Sequence, residues 1–356
     1  MMKRFVNVLA LTCVATGAFL VGQPFSIGAS APAMAQAPNP VPSIPVADLT
    51  TLPTYGPNMA DGDYVVKPPY MRAPELTARP EVPKGMVYHF TMDSTDSKIY
   101  PGIAKNAPGQ VVPYKRNVSV YVPSQYVAGT PAPFMITQDS MGGGIVPTIL
   151  DNMIADKRLP VMVAIFINSG GGDAQGSERG LEYDTVSGQY AEFIETEVLP
   201  RATQETKVVF SKNPDARMTM GGSSGGACAL SMAWFHPDLY HRVLSYSGTF
   251  VNQQSPLNPA SPHGAWEYHD TIIPKSKVKP LRIWIQVGEN DIRSHDEEST
   301  YHNWPMANQR MAAVLKAKKY HYQFVYSYGA GHVDGRVVDQ TLPSALEWVW
   351  KGYKGK

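Results

Sequence analysis

Gly221-Gly222-Ser223-Ser224-Gly225-Gly226 runs directly into Ala227-Cys228-Ala229-Leu230-Ser231-Met232-Ala233-Trp234. Glycines surround a serine here, between a β-type run and a helix-forming run. Only small flanking residues let a backbone turn sharply enough to present a hydroxyl at a strand-to-helix bend. A nucleophile elbow requires this arrangement, so the stretch points to serine-hydrolase chemistry on an α/β fold. Two frames satisfy G-x-S-x-G. Gly221 to Gly225 makes Ser223 the nucleophile, and Gly222 to Gly226 makes it Ser224. Spacing alone leaves both open.

The flanking chain agrees with that fold. Residues 132–137 and 161–167 are near-continuous apolar runs, which suit parallel strands buried on both faces. Residues 218–220, 243–246, 281–287 and 322–326 supply further strands. Residues 87–92 and 118–122 alternate or are β-branched and read as edge strands. Between them lie helical patterns. One covers 145–154. Another places Val186, Tyr190, Phe193 and Ile194 on one face and is expected to end at Pro200. Two more cover 308–317 and 343–350. Strands alternating with helices predict an α/β-hydrolase architecture, a mostly parallel central sheet with helices on both faces.

In hydrolases of this type the acid and the histidine follow the serine in the chain, on loops after later strands. Asp291 stands in Val287-Gly288-Glu289-Asn290-Asp291, after an apolar strand. His332 stands in Gly329-Ala330-Gly331-His332, after the next strand. His332 is read as the proton shuttle and Asp291 as the group that orients it. Glu289, Asp296 and Asp334 are the competing acids. His263, His269, His295 and His302 fall in long loops that could line a cleft. No histidine spacing matches a metal motif, so no metal site is assigned, and the chemistry asks for no cofactor. The oxyanion would be met by two backbone N–H groups. One belongs to the residue after the nucleophile. The other comes from the glycine-rich loop Gln138-Asp139-Ser140-Met141-Gly142-Gly143-Gly144.

The chain has 356 residues and a formal net charge of +1 with no basic block, which argues against a nucleic-acid surface. Lys3 and Arg4, an apolar run from Phe5 to Gly22, and Ala33-Met34-Ala35 have the layout of a secretory signal peptide over residues 1–35. The apolar run is short and interrupted by Thr12, Thr16 and Gly17, unlike a membrane span. A secreted or periplasmic location is therefore expected, with no membrane span in the mature chain. Of two cysteines, Cys228 alone would remain after cleavage, so no internal disulfide is expected. Residues 36–85 hold eleven prolines and read as an extended leader, whose part around 64–70 approaches the active-site rim. Residues 86–356 form the catalytic domain.

The combined motifs resemble the putative-esterase family of α/β-hydrolases. This family includes enterochelin esterases, feruloyl and acetyl-xylan esterases of carbohydrate esterase family 1, esterase D and the mycolyltransferases. The resemblance rests on the elbow, on His236-Pro237-Asp238-Leu239-Tyr240, on Val243-Leu244-Ser245-Tyr246-Ser247-Gly248-Thr249-Phe250, on the 179–200 segment, on Asn303-Trp304-Pro305 and on Gly331-His332. It covers roughly 86–356. It implies Ser223 as nucleophile, with the Ser224 N–H as one oxyanion donor and the Met141 N–H as the second. The usual Asp-Gly of the oxyanion loop reads Asp139-Ser140 here.

The resulting expectation is a secreted carboxylic ester hydrolase working through an acyl-enzyme. Aromatic-acyl, carbohydrate-linked or siderophore-type esters are the expected substrates. The alternatives are a mycolyltransferase-like acyltransferase on the same residues, or an inactive carbohydrate-binding relative. Arg179 is a candidate contact for a carboxylate or phenolate, and equally an ion-pair partner of Glu182 or Asp184. Trp304 is a candidate substrate contact, and Trp266 and Tyr268 suit either a pocket or a loop core.

Overall fold

Strands whose residues are all buried must lie inside a sheet covered on both faces. Four strands of this chain are buried along their whole length: β5 (Phe134–Gln138), β6 (Val163–Ile167), β8 (Arg217–Gly222) and β9 (Arg242–Tyr246). They are joined in one nine-stranded sheet by β1 (Gly62–Val66), β2 (Met86–Asp93), β3 (Lys115–Val122), β10 (Arg282–Gly288) and β11 (His321–Ser327). The order is β1-β11-β10-β9-β8-β5-β6-β3-β2. Pairing is parallel from β1 to β6 and antiparallel for β3 with β6 and with β2. A two-stranded ladder joins β4 (Pro131–Ala132) to β7 (Val209–Phe210). This computed structural model describes residues 44–102, 110–170, 178–254 and 257–355. The expected signal segment 1–35 lies outside the described residues.

The helices are α1 (Val146–Ala155), α2 (Glu178–Tyr183), α3 (Gln189–Phe193), α4 (Leu199–Thr206), α5 (Ser224–Phe235), α6 (Ile273–Lys275), α7 (Trp304–Ala317) and α8 (Gly335–Trp350). α1 and α8 fill one face with Ile149, Leu150, Met153, Leu342 and Leu346 against Met135, Met218 and Trp284. α3, α4, α5 and α7 fill the other, around Phe134, Ile165, Val243 and Ile285. Two separate cores, one per face, explain why the central strands carry no polar alternation.

Four expectations need correction. β1 falls inside the segment read as leader, yet it pairs in register with β11 from Gly62 opposite Gln323 to Val66 opposite Ser327. The sheet thus begins before residue 86. As an edge strand, β1 tolerates the nearby prolines. β3, read as an edge, lies between β2 and β6. The helical path does not stop at Pro200. A wide π-helical turn at Ile194–Val198 precedes α4 and leaves Pro200 in that helix's first turn, where its missing N–H costs little. α8 begins at Gly335 instead of Pro343, because Asp334 caps it by accepting the Arg336 N–H at 3.0 Å.

Candidate active site

The bend between β8 and α5 puts Ser223 at φ 57°, ψ −131°, a conformation that L-residues seldom adopt. Close packing enforces it. A Cβ on Gly221 would lie 2.3 Å from the Gly225 backbone, and one on Gly226 would lie 2.5 Å from Ser245 Oγ. The Ser223 N–H donates to Tyr246 O at 2.9 Å. Its carbonyl accepts from Gly226 at 2.9 Å and from Thr249 at 3.1 Å. The elbow is therefore tied both to its own helix and to the chain leaving β9. Ser224 is fully buried, whereas Ser223 is half-buried. That difference singles out Ser223 as the reachable hydroxyl. Thr249 Oγ1 lies 3.4 Å from Ser223 Oγ.

Asp291 and His332 meet from the loops after β10 and β11. His332 Nδ1 is 2.6 Å from Asp291 Oδ1, which also accepts the Ile292 N–H at 2.7 Å. The Asp291 side chain is buried, and 27% of the His332 side chain is exposed. A buried carboxylate on Nδ1 places the ring proton there and leaves Nε2 to accept. The competing acids are otherwise engaged. Glu289 accepts the Gly329 N–H at 2.7 Å, Asp334 caps α8, and Asp296 pairs with Arg293.

The histidine loop is pinned beside the elbow. Val333, itself at φ 46°, donates its N–H to Ser247 Oγ at 2.9 Å. A Cβ on Gly222 would lie 3.0 Å from Val333 Cγ1. The chain neighbours of Ser223 and His332 are thus in van der Waals reach. Trp304, 4% exposed, stands edge-on to the imidazole with centroids 6.3 Å apart at 88°. Its place is the wall behind His332, so little of the ring remains for a substrate.

The oxyanion loop differs from expectation. As the first residue of α5, Ser224 has an N–H with no intrahelical partner. The Met141 N–H, in contrast, donates to Gln138 O at 3.0 Å in a turn. Met141 does border the elbow, with Sδ 3.4 Å from a Cβ on Gly222. Asp139 and Ser140 both have positive φ, 53° and 51°. Arg179 is an ion-pair residue, but its partner is Asp139, with Nη2 to Oδ2 at 2.8 Å. The two acids expected from sequence are taken elsewhere. Glu182 forms a buried pair with Arg116, Nη1 to Oε2 at 2.8 Å.

Asp184 accepts from Gln253 Nε2 at 3.1 Å, and that nitrogen also donates to Ser224 Oγ at 3.3 Å. Burial pushes the Asp184 carboxyl up to about 6, against the Gln253 hydrogen bond and the nearby Arg179 charge. Because the folded pKa lies above the ordinary 3.8, ionisation opposes folding. The penalty is absent below pH 3.8, grows as pH rises, and above about 6 reaches roughly 3 kcal/mol.

Sequence reasoning missed Asp184, Gln253 and Thr249 as neighbours of the elbow. Thr249 sits in a quoted motif, but Asp184 and Gln253 carry no local signal. His269, expected in a cleft-lining loop, is buried against Trp266, and its pKa falls to about 3 through desolvation. Trp266 and Tyr268 likewise belong to the core.

The family described as Putative esterase matches residues 109–346. No curated protein sequence matches. Solved structures share the fold at low identity. The enterobactin esterase from Shigella flexneri, in the presence of 2,3-di-hydroxy-N-benzoyl-glycine, has a TM-score of 0.53 and 18% identity, covering 77% of this chain and 61% of that one. The ferric enterobactin esterase from Salmonella typhimurium has a TM-score of 0.52 and 19% identity, covering 77% and 60%. A feruloyl esterase module from Clostridium thermocellum, complexed with sinapinate, has a TM-score of 0.54 and 15% identity, covering 85% and 99%. The chain spans only about three-fifths of the length of the enterobactin esterases. The matched family segment takes in most of the chain, from before β5 into α8, and the chain belongs to the Putative esterase family, on an α/β-hydrolase fold.

Proposed function

We propose that the protein is an exported serine esterase that works through an acyl-enzyme at Ser223. His332 Nε2 takes the Ser223 Oγ proton as Oγ bonds to the ester carbonyl carbon. The imidazolium then protonates the departing alkoxide as the ester C–O bond breaks. Water repeats the sequence in the second half, releasing the acid and restoring Ser223. Asp291 holds the ring and stabilises its charge. The Ser224 N–H meets the oxyanion, and the Met141 N–H joins it by sharing or releasing its bond to Gln138 O.

The observation that carries this reading is the pairing of a strained, half-buried Ser223 with a half-buried His332 that is held by the buried Asp291 and whose loop touches the elbow. Aromatic-acyl or carbohydrate-linked esters are the proposed substrates. The 2,3-di-hydroxy-N-benzoyl-glycine and the sinapinate found with two structural neighbours support the aromatic-acyl class. Arg179 is committed to Asp139, so recognition of an anionic acyl group is not assigned to it.

The test is turnover of p-nitrophenyl acetate and methyl ferulate by the purified protein, with products separated in the presence and absence of glycerol. We expect turnover of about 1 s⁻¹ or faster on the better ester, with free acid as the main product. A glycerol ester as the main product would assign acyl transfer. No turnover across an ester panel would contradict the reading.

A further inference from the structure

The network behind the elbow contains a group the reaction does not consume. Asp184 follows α2 and is 2% exposed. Its Oδ2 accepts from Gln253 Nε2 at 3.1 Å, and the same nitrogen lies 3.3 Å from Ser224 Oγ. The Gln253 amide thus bridges the carboxylate and the Ser224 hydroxyl. Oδ1 is buried with no hydrogen-bond partner among the described residues. Three chain segments therefore converge on one carboxylate: the end of α2, the first turn of α5, and the segment leaving β9.

Both of the last two segments touch the reacting serine. Ser224 contributes the backbone N–H that would face the oxyanion. Thr249, four residues before Gln253, hydrogen-bonds the Ser223 carbonyl through its N–H and has its hydroxyl 3.4 Å from Ser223 Oγ. A buried acid with one unpaired oxygen burdens the fold, and groups of that kind concentrate at working sites.

We propose that Asp184 is a positioning residue. Its carboxylate, through Ser224 and Gln253, locks the first turn of α5 to the 249–253 segment and so sets the Ser224 N–H and Thr249 against Ser223. The proposal rests on the reading of Ser223 as nucleophile. The charged and titratable groups around the carboxylate are Arg179 of α2, Asp139 of the loop after β5 and the buried thiol of Cys228 in α5. Gln253 brings an uncharged amide from the fourth side. Arg179 is held by Asp139 and remains charged throughout the working range, so Asp184 is the group in this cluster whose charge changes near pH 6. Protonation at the unpartnered Oδ1 leaves a neutral carbonyl in place of the charged acceptor that Gln253 meets, and the lock loosens.

The experiment compares wild type, Asp184→Asn, Ser224→Ala and the double variant with p-nitrophenyl acetate between pH 4.5 and 9. Asp184→Asn retains the shape and the acceptor oxygen but cannot ionise. We expect it to fold with a Tm at pH 8 no lower than wild type, because it removes a buried charge. We expect kcat to fall by roughly tenfold with KM nearly unchanged, the cost of a misaligned oxyanion donor. In wild type the acidic limb of log(kcat/KM) should be steeper than one around pH 6, closing the roughly tenfold gap to Asp184→Asn at lower pH. In Asp184→Asn that extra steepening should be absent. The double variant should lose little more than either single one, as partners in one network do.

A purely structural acid predicts the reverse, a lower Tm with an unchanged pH profile. The proposal is overturned by that result, or by a kcat within twofold of wild type and an unaltered acidic limb. Ser223→Ala is run in parallel. If it is inactive while Asp184→Asn behaves as wild type, only the positioning role fails. If Ser223→Ala stays active, the nucleophile assignment fails and the proposal falls with it.

Discussion

Ser223→Ala is expected to fold as the parent does and to lose about 10⁵-fold in kcat on p-nitrophenyl acetate. The fold should survive because the elbow is held by backbone bonds and glycine contacts, none of which uses the hydroxyl. Alanine is no worse than serine at φ 57° in steric terms, since both carry a Cβ. What disappears is the atom that bonds to the acyl carbon. The Ser224 hydroxyl cannot replace it, because it is fully buried and held by Gln253 Nε2. A circular dichroism spectrum and melting curve alongside the kinetics separate loss of chemistry from loss of fold. Activity within about tenfold of wild type would remove Ser223 from the mechanism.

Asp291→Asn should cost about 10⁴-fold in kcat, with little change in KM. The reason lies in the tautomer. A carboxylate 2.6 Å from Nδ1 accepts a hydrogen bond from the Nδ1–H and leaves Nε2 free to receive the serine proton. An asparagine has no charge to stabilise the imidazolium, and one that turns its NH₂ towards Nδ1 gives up the Ile292 N–H, which shares the same oxygen. The imidazole then carries its proton on Nε2, facing the serine, and cannot act as base. Glu289 and Asp334 cannot substitute, since they are bound to Gly329 and to the start of α8. Equal losses for Glu289→Gln and Asp291→Asn would contradict this assignment. The comparison is direct, because both acids leave the same strand.

The central sheet is legible in the sequence because burial on both faces writes itself as unbroken apolar runs, as at 134–138 and 163–167. β1 is not. It lies among prolines, and only its partner β11 makes it a strand. Pro200 and Pro343 mislead for a related reason. Local rules treat proline as a helix boundary, an end at Pro200 and a start at Pro343, but a π-helical turn upstream of Pro200 and tertiary packing around Pro343 keep both residues within helical segments.

The site divides in the same way. The elbow is legible because a backbone constraint demands small residues at fixed offsets, and Gly221 and Gly226 have no room for a Cβ. Which of several acids meets His332 depends on how loops after two strands fold back, and local spacing does not encode that. Asp184, Gln253 and Thr249 come from separate segments and obey no local rule. The Arg179 pairing with Asp139 follows from Arg116 occupying Glu182, a contact between residues 66 positions apart. The Met141 N–H illustrates a different limit. Glycine content predicts a tight loop after β5 but not which N–H groups the turn consumes.

The most direct test of the account is the site of covalent capture by a fluorophosphonate, which phosphonylates an activated serine and loses fluoride. Intact mass should rise by a single phosphonyl group per folded chain, and peptide mapping should place it on Ser223. The labelling rate should collapse in His332→Ala, because without Nε2 the hydroxyl keeps its proton. A label on Ser224 or elsewhere, or no label on the folded protein at concentrations that exhaust other serine hydrolases, would contradict the claim that Ser223 is the hydroxyl this fold activates.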